Sequence, residues 1–449
     1  MNIRVRCARR HAVPTTAFLL CFGALSLPTP ASAATLSVAN CNDSGSGSLR
    51  DTVAQASSGD TVDLTQLNCD QIKLAGTPIA IAQQDLNIVG PGRYKLAIDG
   101  VYKSGVLRHT GAGTLKLSHL SVEHGQHVVY DGDGNAYGGC VYSAGDVNID
   151  WVEVRHCGAH ARVNAGGGGI YAQRNVMATR SVVHSNGLSG AGTYGGGIAA
   201  EKSIALERSR IVNNKASSGG GLRAGIYGSI SMHYSALTNN VARVGGGAEV
   251  FGKAEIINSA ITGNSATTKD GALQINELTI VNSTVSGNSS PFISAIETRG
   301  GFVASNSTIA YNNMTGEQCR GAVTVTLYDE QLPPHLDSSI FANNTCKGSP
   351  STDLDAREVG ASTIVSITGA NNLVMQGGAS TELPEDTVSA DPLLQPLTDN
   401  GGVRLTHALM AGSPAIDAGN NAAGLVYDQR GPSYPRTKGA GTDIGAYER

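Results

Sequence analysis

The feature that most constrains this chain is a column of asparagines: Asn186, Asn214, Asn240, Asn264, Asn288 and Asn312, at steps of 28, 26, 24, 24 and 24 residues. Three places before each stands an apolar residue: Val183, Ile211, Leu237, Ile261, Val285 and Ile309. After most of them a glycine-rich link leads into another short apolar word, as in "GGGI" at 195–198, "GGGL" at 219–222, "GGGA" at 245–248 and "DGAL" at 270–273. Looser copies are "SHLSVEHG" at 118–125 and "DWVEVRHCG" at 150–158 before the column, and "DSSIFANN" at 337–344 after it.

These words alternate apolar and polar residues over three to five positions and are bounded by Gly, Asn and Ser, so they read as short strands rather than helices. A period near 24 predicts one turn of a coil built from three short strands and three bends. Stacked turns would form three parallel sheets with a rise of roughly 4.8 Å per turn. Asn suits such a bend because it tolerates the left-handed backbone region, and stacked amides can hydrogen-bond from turn to turn. Glycine, 58 of 449 residues, supplies positive φ at corners and lets adjacent turns approach closely. No Lys–Ser/Thr pair and no helix follows the glycine runs, which excludes a phosphate-cradling loop.

The ends break the period. Arg4, Arg6, Arg9 and Arg10, the apolar "AFLLCFGALSL" and "ASA" at 31–33 read as a secretory signal over residues 1–33. Residues 34–70 read as an N-terminal cap with the first strands. Within it "SLRDTVAQA" at 48–56 is a short amphipathic helix turning Leu49, Val53 and Ala56 inward, and "GDTVDL" at 59–64 begins the first strand. The coil proper is expected over 71–375, and the Pro-, Gly- and Asp-rich residues 376–449 read as a loop-rich C-terminal cap. Asp391, Asp417, Asp428 and Asp443 there are expected to satisfy turn backbone groups.

Beyond the leader stand six cysteines, which in an exported chain imply disulfides. Fifteen pairings are open, and sequential neighbours are the simplest: Cys41–Cys69, Cys140–Cys157 and Cys319–Cys346. No metal-ligand spacing competes with them. The net charge of −4 gives no footprint for nucleic acid, and no segment after the leader is apolar enough to span a bilayer.

The repeated words resemble right-handed parallel β-helix proteins of the pectate-lyase-like superfamily. "NNKASSGGGL" and "NNVARVGGGAEV" resemble repeats of polymorphic outer-membrane proteins and other adhesins. "NNLV" at 371–374, "DPLLQPLTDNGG", "THALMAGSPAIDAGN" and "DQRG…GTDIGAYE" resemble the choice-of-anchor Q domain of bacterial surface proteins. The resemblance implies an all-β, right-handed parallel β-helix solenoid of about ten rungs, capped at both ends. It implies an adhesin-like protein, secreted or periplasmic, monomeric, binding polysaccharide or a cell-surface glycan. The other reading is a polysaccharide lyase or glycoside hydrolase acting on acidic polysaccharide.

The site is sought where titratable groups crowd. Aligning "SVEHG", "EVRHC" and "VVHSN" puts Glu123, Arg155 and His184 in one column and His124 and His156 in another. Histidine or carboxylate could move a proton there while Arg155 neutralises a sugar carboxylate, as a uronide lyase requires. Glu123 with Asp131 or Asp133 is the best pair for a hydrolase. Nearby are Glu153, His127, His160 and Arg162. Tyr130, Asp131, Asp133, Tyr137 and Arg180 are candidate substrate contacts, and Tyr171, Tyr194 and Trp151 are further rings for stacking. No cofactor is expected; "DGDGN" at 131–135 is the one acidic turn that approaches a calcium loop.

Overall fold

A computed structural model describes residues 33–129, 134–190, 192–328, 331–360 and 363–449. The chain is an all-β, right-handed parallel solenoid of about eleven turns. Twelve strands, from Gln71–Lys73 to Leu373–Val374, stack in parallel as a sheet called here sheet B. Sheet A, of 22 strands, takes two segments from most turns, such as Ile198–Ala200 and Ser203–Glu207. In later turns these fuse into single long strands, Ala248–Ile257 and Leu273–Val281. A third, interrupted set (sheet C) follows sheet B in each turn, beginning with Gln126–Val129.

The middle residue of each sheet B strand points inward. From Ile72 through Val183 and Val285 to Val374 this column is fully buried. Each such side chain contributes about 1.5–3 kcal/mol by leaving water. One turn alone would leave it exposed, which is why the turns are stable only as a stack.

Two corners flank sheet B, and both carry residues in the left-handed region. The entry corner holds Trp151, Arg180, Arg208 and Asn258; the exit corner holds His124, His156, Ser185, Asn213 and Asn239. The residue with positive φ is thus the one before the asparagine column, not the column itself. Asn186, Asn214, Asn240, Asn264, Asn288 and Asn312 are buried and form a continuous amide ladder that extends to Asn344. Each side-chain Nδ2 donates to the Oδ1 of the next turn and to a strand carbonyl of the turn before, as Asn240 does to Asn264 and Ile211. The glycines divide their work. Gly219 takes φ of +55°, while a Cβ on Gly220 would lie 2.4 Å from the Gly246 carbonyl oxygen of the next turn.

At the N-terminus helix α1 (Leu49–Gln55) is capped by Ser48 and buries Leu49 and Val53 against the core. The coil begins earlier than residue 59, because Thr35–Ser37 already pairs with Thr61–Asp63. Disulfides join Cys41 to Cys69, Cys140 to Cys157 and Cys319 to Cys346. No helix of the described residues is long and apolar enough to cross a membrane.

The C-terminal residues are loop-rich but do more than close the last turn. Leu383 packs onto the end of the core, and from about residue 391 the chain returns along the outer face of sheet B. Thr284 donates to Gln429, Ser286 bonds His407, Ala446 N–H donates to Thr308, and Asn306 donates to the Asn420 carbonyl. An ion pair between Arg436 and Glu448 at 2.9 Å, both fully buried, secures this tail, and Arg436 also donates to the Gly445 carbonyl. Asp417, Asp428 and Asp443 accept backbone N–H groups within it.

Candidate functional site

The tail covers sheet B only from about Ala236 onward, and the outward positions of the earlier strands stay open. In register, one outward column reads Lys73, Asp99, Glu123, Arg155, His184 and Val212. The other reads Gln71, Ala97, Ser121, Glu153, Val182 and Arg210. Glu123, Arg155 and His184 therefore share one column.

They are joined by a continuous network. Glu123, 2% exposed, accepts from Arg155 at 2.6 Å and from Gln71 at 3.0 Å. Arg155 also lies 3.6 Å from Glu153, which accepts from His184 Nε2 at 3.0 Å. The bond from His184, with the charge of Arg155, holds the Glu153 carboxyl below its ordinary value despite burial. His124 Nδ1 is 3.1 Å from Asp99, and its ring lies 4.7 Å from that of Tyr102.

His124 and His156 stand on the exit corner with φ of +51° and +53°. At that corner their rings stack 5.5 Å apart, and His156 meets His184 edge-on at 5.9 Å. His156 is exposed at the surface. Partial desolvation, then the neighbouring His184, His124 and Arg155, lower its pKa from the ordinary imidazole value. The shift favours the neutral imidazole, and the ring is accessible.

A cleft of about 370 Å³ opens beside this network, lined by Gln71, Arg93, Tyr94, Ser121, Glu123 and Glu153 among others. Arg93 lies over the exposed rings of both Tyr94, which lines the cleft, and Trp151. Arg155 and the two carboxylates of the network line this cleft; the three histidines do not. Asp99, Glu123 and His124 offer one ligand atom each within 4.8 Å of one another and could hold a divalent cation. Two carboxylates suit a hard cation and the imidazole a softer one, and binding would draw Glu123 away from Gln71 or Arg155.

Other candidates lie elsewhere. Arg180 sits on the entry corner, paired bidentately with Asp150 and 5.7 Å from the Trp151 ring centroid, outside the network. Tyr137 belongs to sheet C and stacks on Tyr171 at 4.3 Å, and Tyr171 donates to Glu201; these rings pack against the fold. His127 is tied to the backbone of Tyr137, and desolvation lowers its pKa. Tyr130, Asp131 and Asp133 lie outside the described residues, so the Glu123–Asp131/Asp133 pair has no geometry. Asp99, Gln71 and Tyr102 were missed from the sequence. The word "LAIDG" at 96–100 aligns with "LSVEHG" and would have placed Asp99 one turn before Glu123.

No family model matches the chain and no curated protein matches it. Among solved structures it is similar to the crystal structure of pectate lyase Pel9A, at 13% identity and a TM-score of 0.43, covering 93% of this chain and 97% of that one. The solenoid assignment rests on the strand registers, not on that likeness.

Proposed function

We propose that the open half of sheet B is the active cleft of a polysaccharide-acting enzyme that eliminates or hydrolyses acidic glycan. The observation that carries this reading is the exposed imidazole of His156, set in a row of three histidines over the Glu123–Arg155–Glu153 network. A lyase base must take the proton beside a uronate carboxyl, and the remaining electron pair then expels the glycosidic oxygen on the adjacent carbon. The lowered pKa of His156 favours the neutral form that this task needs. Tyr102, whose phenol pKa is raised by slight desolvation and by Asp99 and Glu123, packs against His124 and is the proton donor to the departing oxygen in this reading. Arg155 is matched by two carboxylates, so it positions Glu123 and Glu153 rather than binding a sugar carboxylate.

The test is incubation with a panel of uronate polysaccharides, following unsaturated ends by absorbance and reducing ends by colour. Unsaturated ends made by the wild type and lost in His156→Ala support elimination. Reducing ends alone turn the chemistry to hydrolysis. Neither signal from any polymer sinks the enzyme reading.

A second reading, adhesin-like binding, is favoured by the exposed rings of Tyr94 and Trp151 on one side of the open face and of Tyr102 on the other, which are suited to stacking on sugars. Retention on immobilised glycans without turnover would establish it. The basic, apolar, small-residue leader supports export.

A further inference from the structure

Within the network Arg155 is matched by two carboxylates, but one turn beyond His184 stand two arginines, Arg210 and Arg404, with no ion-pair partner among the described residues. Arg210 follows Glu153 and Val182 in the same outward column, two strand spacings or about 10 Å from Glu153. From the tail, Arg404 reaches the same place and donates from NH2 to the Ser209 carbonyl at 3.3 Å. Its Nε is buried with no hydrogen-bond partner. Burial, then the charges of Arg210 and Arg208, push the Arg404 guanidinium down to about 10.

A cleft of about 250 Å³ lies between tail and sheet, lined by Arg210, Arg404, Thr238, Thr262, Asp399 and Gly402 among others. Of the acids nearby, Glu207 is 3.3 Å from Arg208, while Asp399, exposed at the edge of the cleft, accepts from Gly401 N–H and keeps its charge. A buried donor without an acceptor is costly, and so is crowding of like charge. An anion in this cleft would relieve both.

We propose that Arg210 and Arg404, backed by Arg208, form a binding subsite for one carboxylate or sulfate group of an acidic glycan lying along the open face. Guanidinium forks match the two oxygens of such groups. Beyond Arg210 the tail covers the sheet, so this is the last subsite the open face offers. The glycan as source of the anion rests on the function proposed above; the anion site itself does not.

The experiment uses the full chain labelled with ¹⁵N-arginine, observing side-chain Nε–H signals. Sodium sulfate is compared with sodium chloride at equal ionic strength, and a galacturonate tetramer is then added. Saturable shifts of Arg404 and Arg210 with sulfate and tetramer, but not with chloride, are expected. Arg210→Gln, which leaves the tail's Arg404–Ser209 bond in place, is expected to weaken tetramer binding by about tenfold. Sulfate that shifts neither arginine more than chloride does overturns the subsite. Tetramer shifts confined to Arg155, in the network beneath the histidine row, overturn it too and leave the polysaccharide reading standing. A response to sulfate with no tetramer binding anywhere overturns the glycan assignment instead.

Discussion

Sheet B shows two different outer faces on one continuous strand register. On the covered half, the outward columns run through Ala236, Ala260, Thr284, Thr308 and Ile340, all nearly or fully buried beneath the tail. On the open half the same columns carry Gln71, Asp99, Glu123, Glu153, Arg155 and His184. Small and hydroxyl side chains leave room for a second layer and can bond to it. Long charged ones cannot be covered cheaply and instead satisfy one another. Covering is therefore decided by the outward residues, while the inward column is apolar throughout. What faces inward specifies the shape, and what faces outward specifies which part of that shape is available.

The comparison breaks first at the buried ion pair. Glu448→Ala leaves the Arg436 charge unpaired and is expected to cost about 3–5 kcal/mol in chemical denaturation. Tail release should then open the covered half to dye binding and proteolysis, and unchanged stability would mean that the tail is held by something else. Next, Asn264→Ala removes the bonds to Asn240 and Asn288 from the ladder and is expected to cost about 2 kcal/mol, measured by denaturant midpoint.

On the open half the losses should be smaller and of another kind. Glu153→Gln weakens a partly solvated pair with His184 and is expected to cost about 1 kcal/mol at neutral pH. Because the folded pKa of Glu153 lies below its unfolded value, its contribution is present above the ordinary carboxylate range. That contribution fades as pH falls through the lowered pKa, so wild type and variant should converge in acid; a difference that persists there refutes the linkage. Smallest is His156→Ala, expected to change stability by no more than about 0.5 kcal/mol while removing turnover or glycan retention. A large stability loss would make this histidine structural.

The periodic part of the molecule was legible because its physics is local and repeated. Asn214 and the Gly219–Gly221 run announce a corner where they occur, and seven of the twelve sheet B strands, from Val182–His184 to Ile340–Ala342, are followed by such an asparagine. The columns Glu123–Arg155–His184 and His124–His156 could also be aligned, since adjacent turns share words. Asp99 was missed because its turn lacks the histidine that marks the next two. Arg210 and Arg404 could not be joined from sequence at all. They are 194 positions apart, and only the return of the tail, which no period announces, brings them together.

The amide ladder also has a direction. From Cys157 to Asn344, each backbone N–H in the column donates to the side-chain oxygen of the following turn, and the serine column at the entry corner runs the same way. Aligned side-chain dipoles add, as peptide dipoles do along a helix, and leave a positive pole at the C-terminal end. The residue that receives Asn344 there is a carboxylic acid, Asp353, whose Oδ1 accepts from both its backbone N–H and its Nδ2. The column is a polar stack with an acidic terminator. A further asparagine turn placed after Asp353 would begin a new stack rather than lengthen this one, so a turn can be added or removed only upstream of that residue.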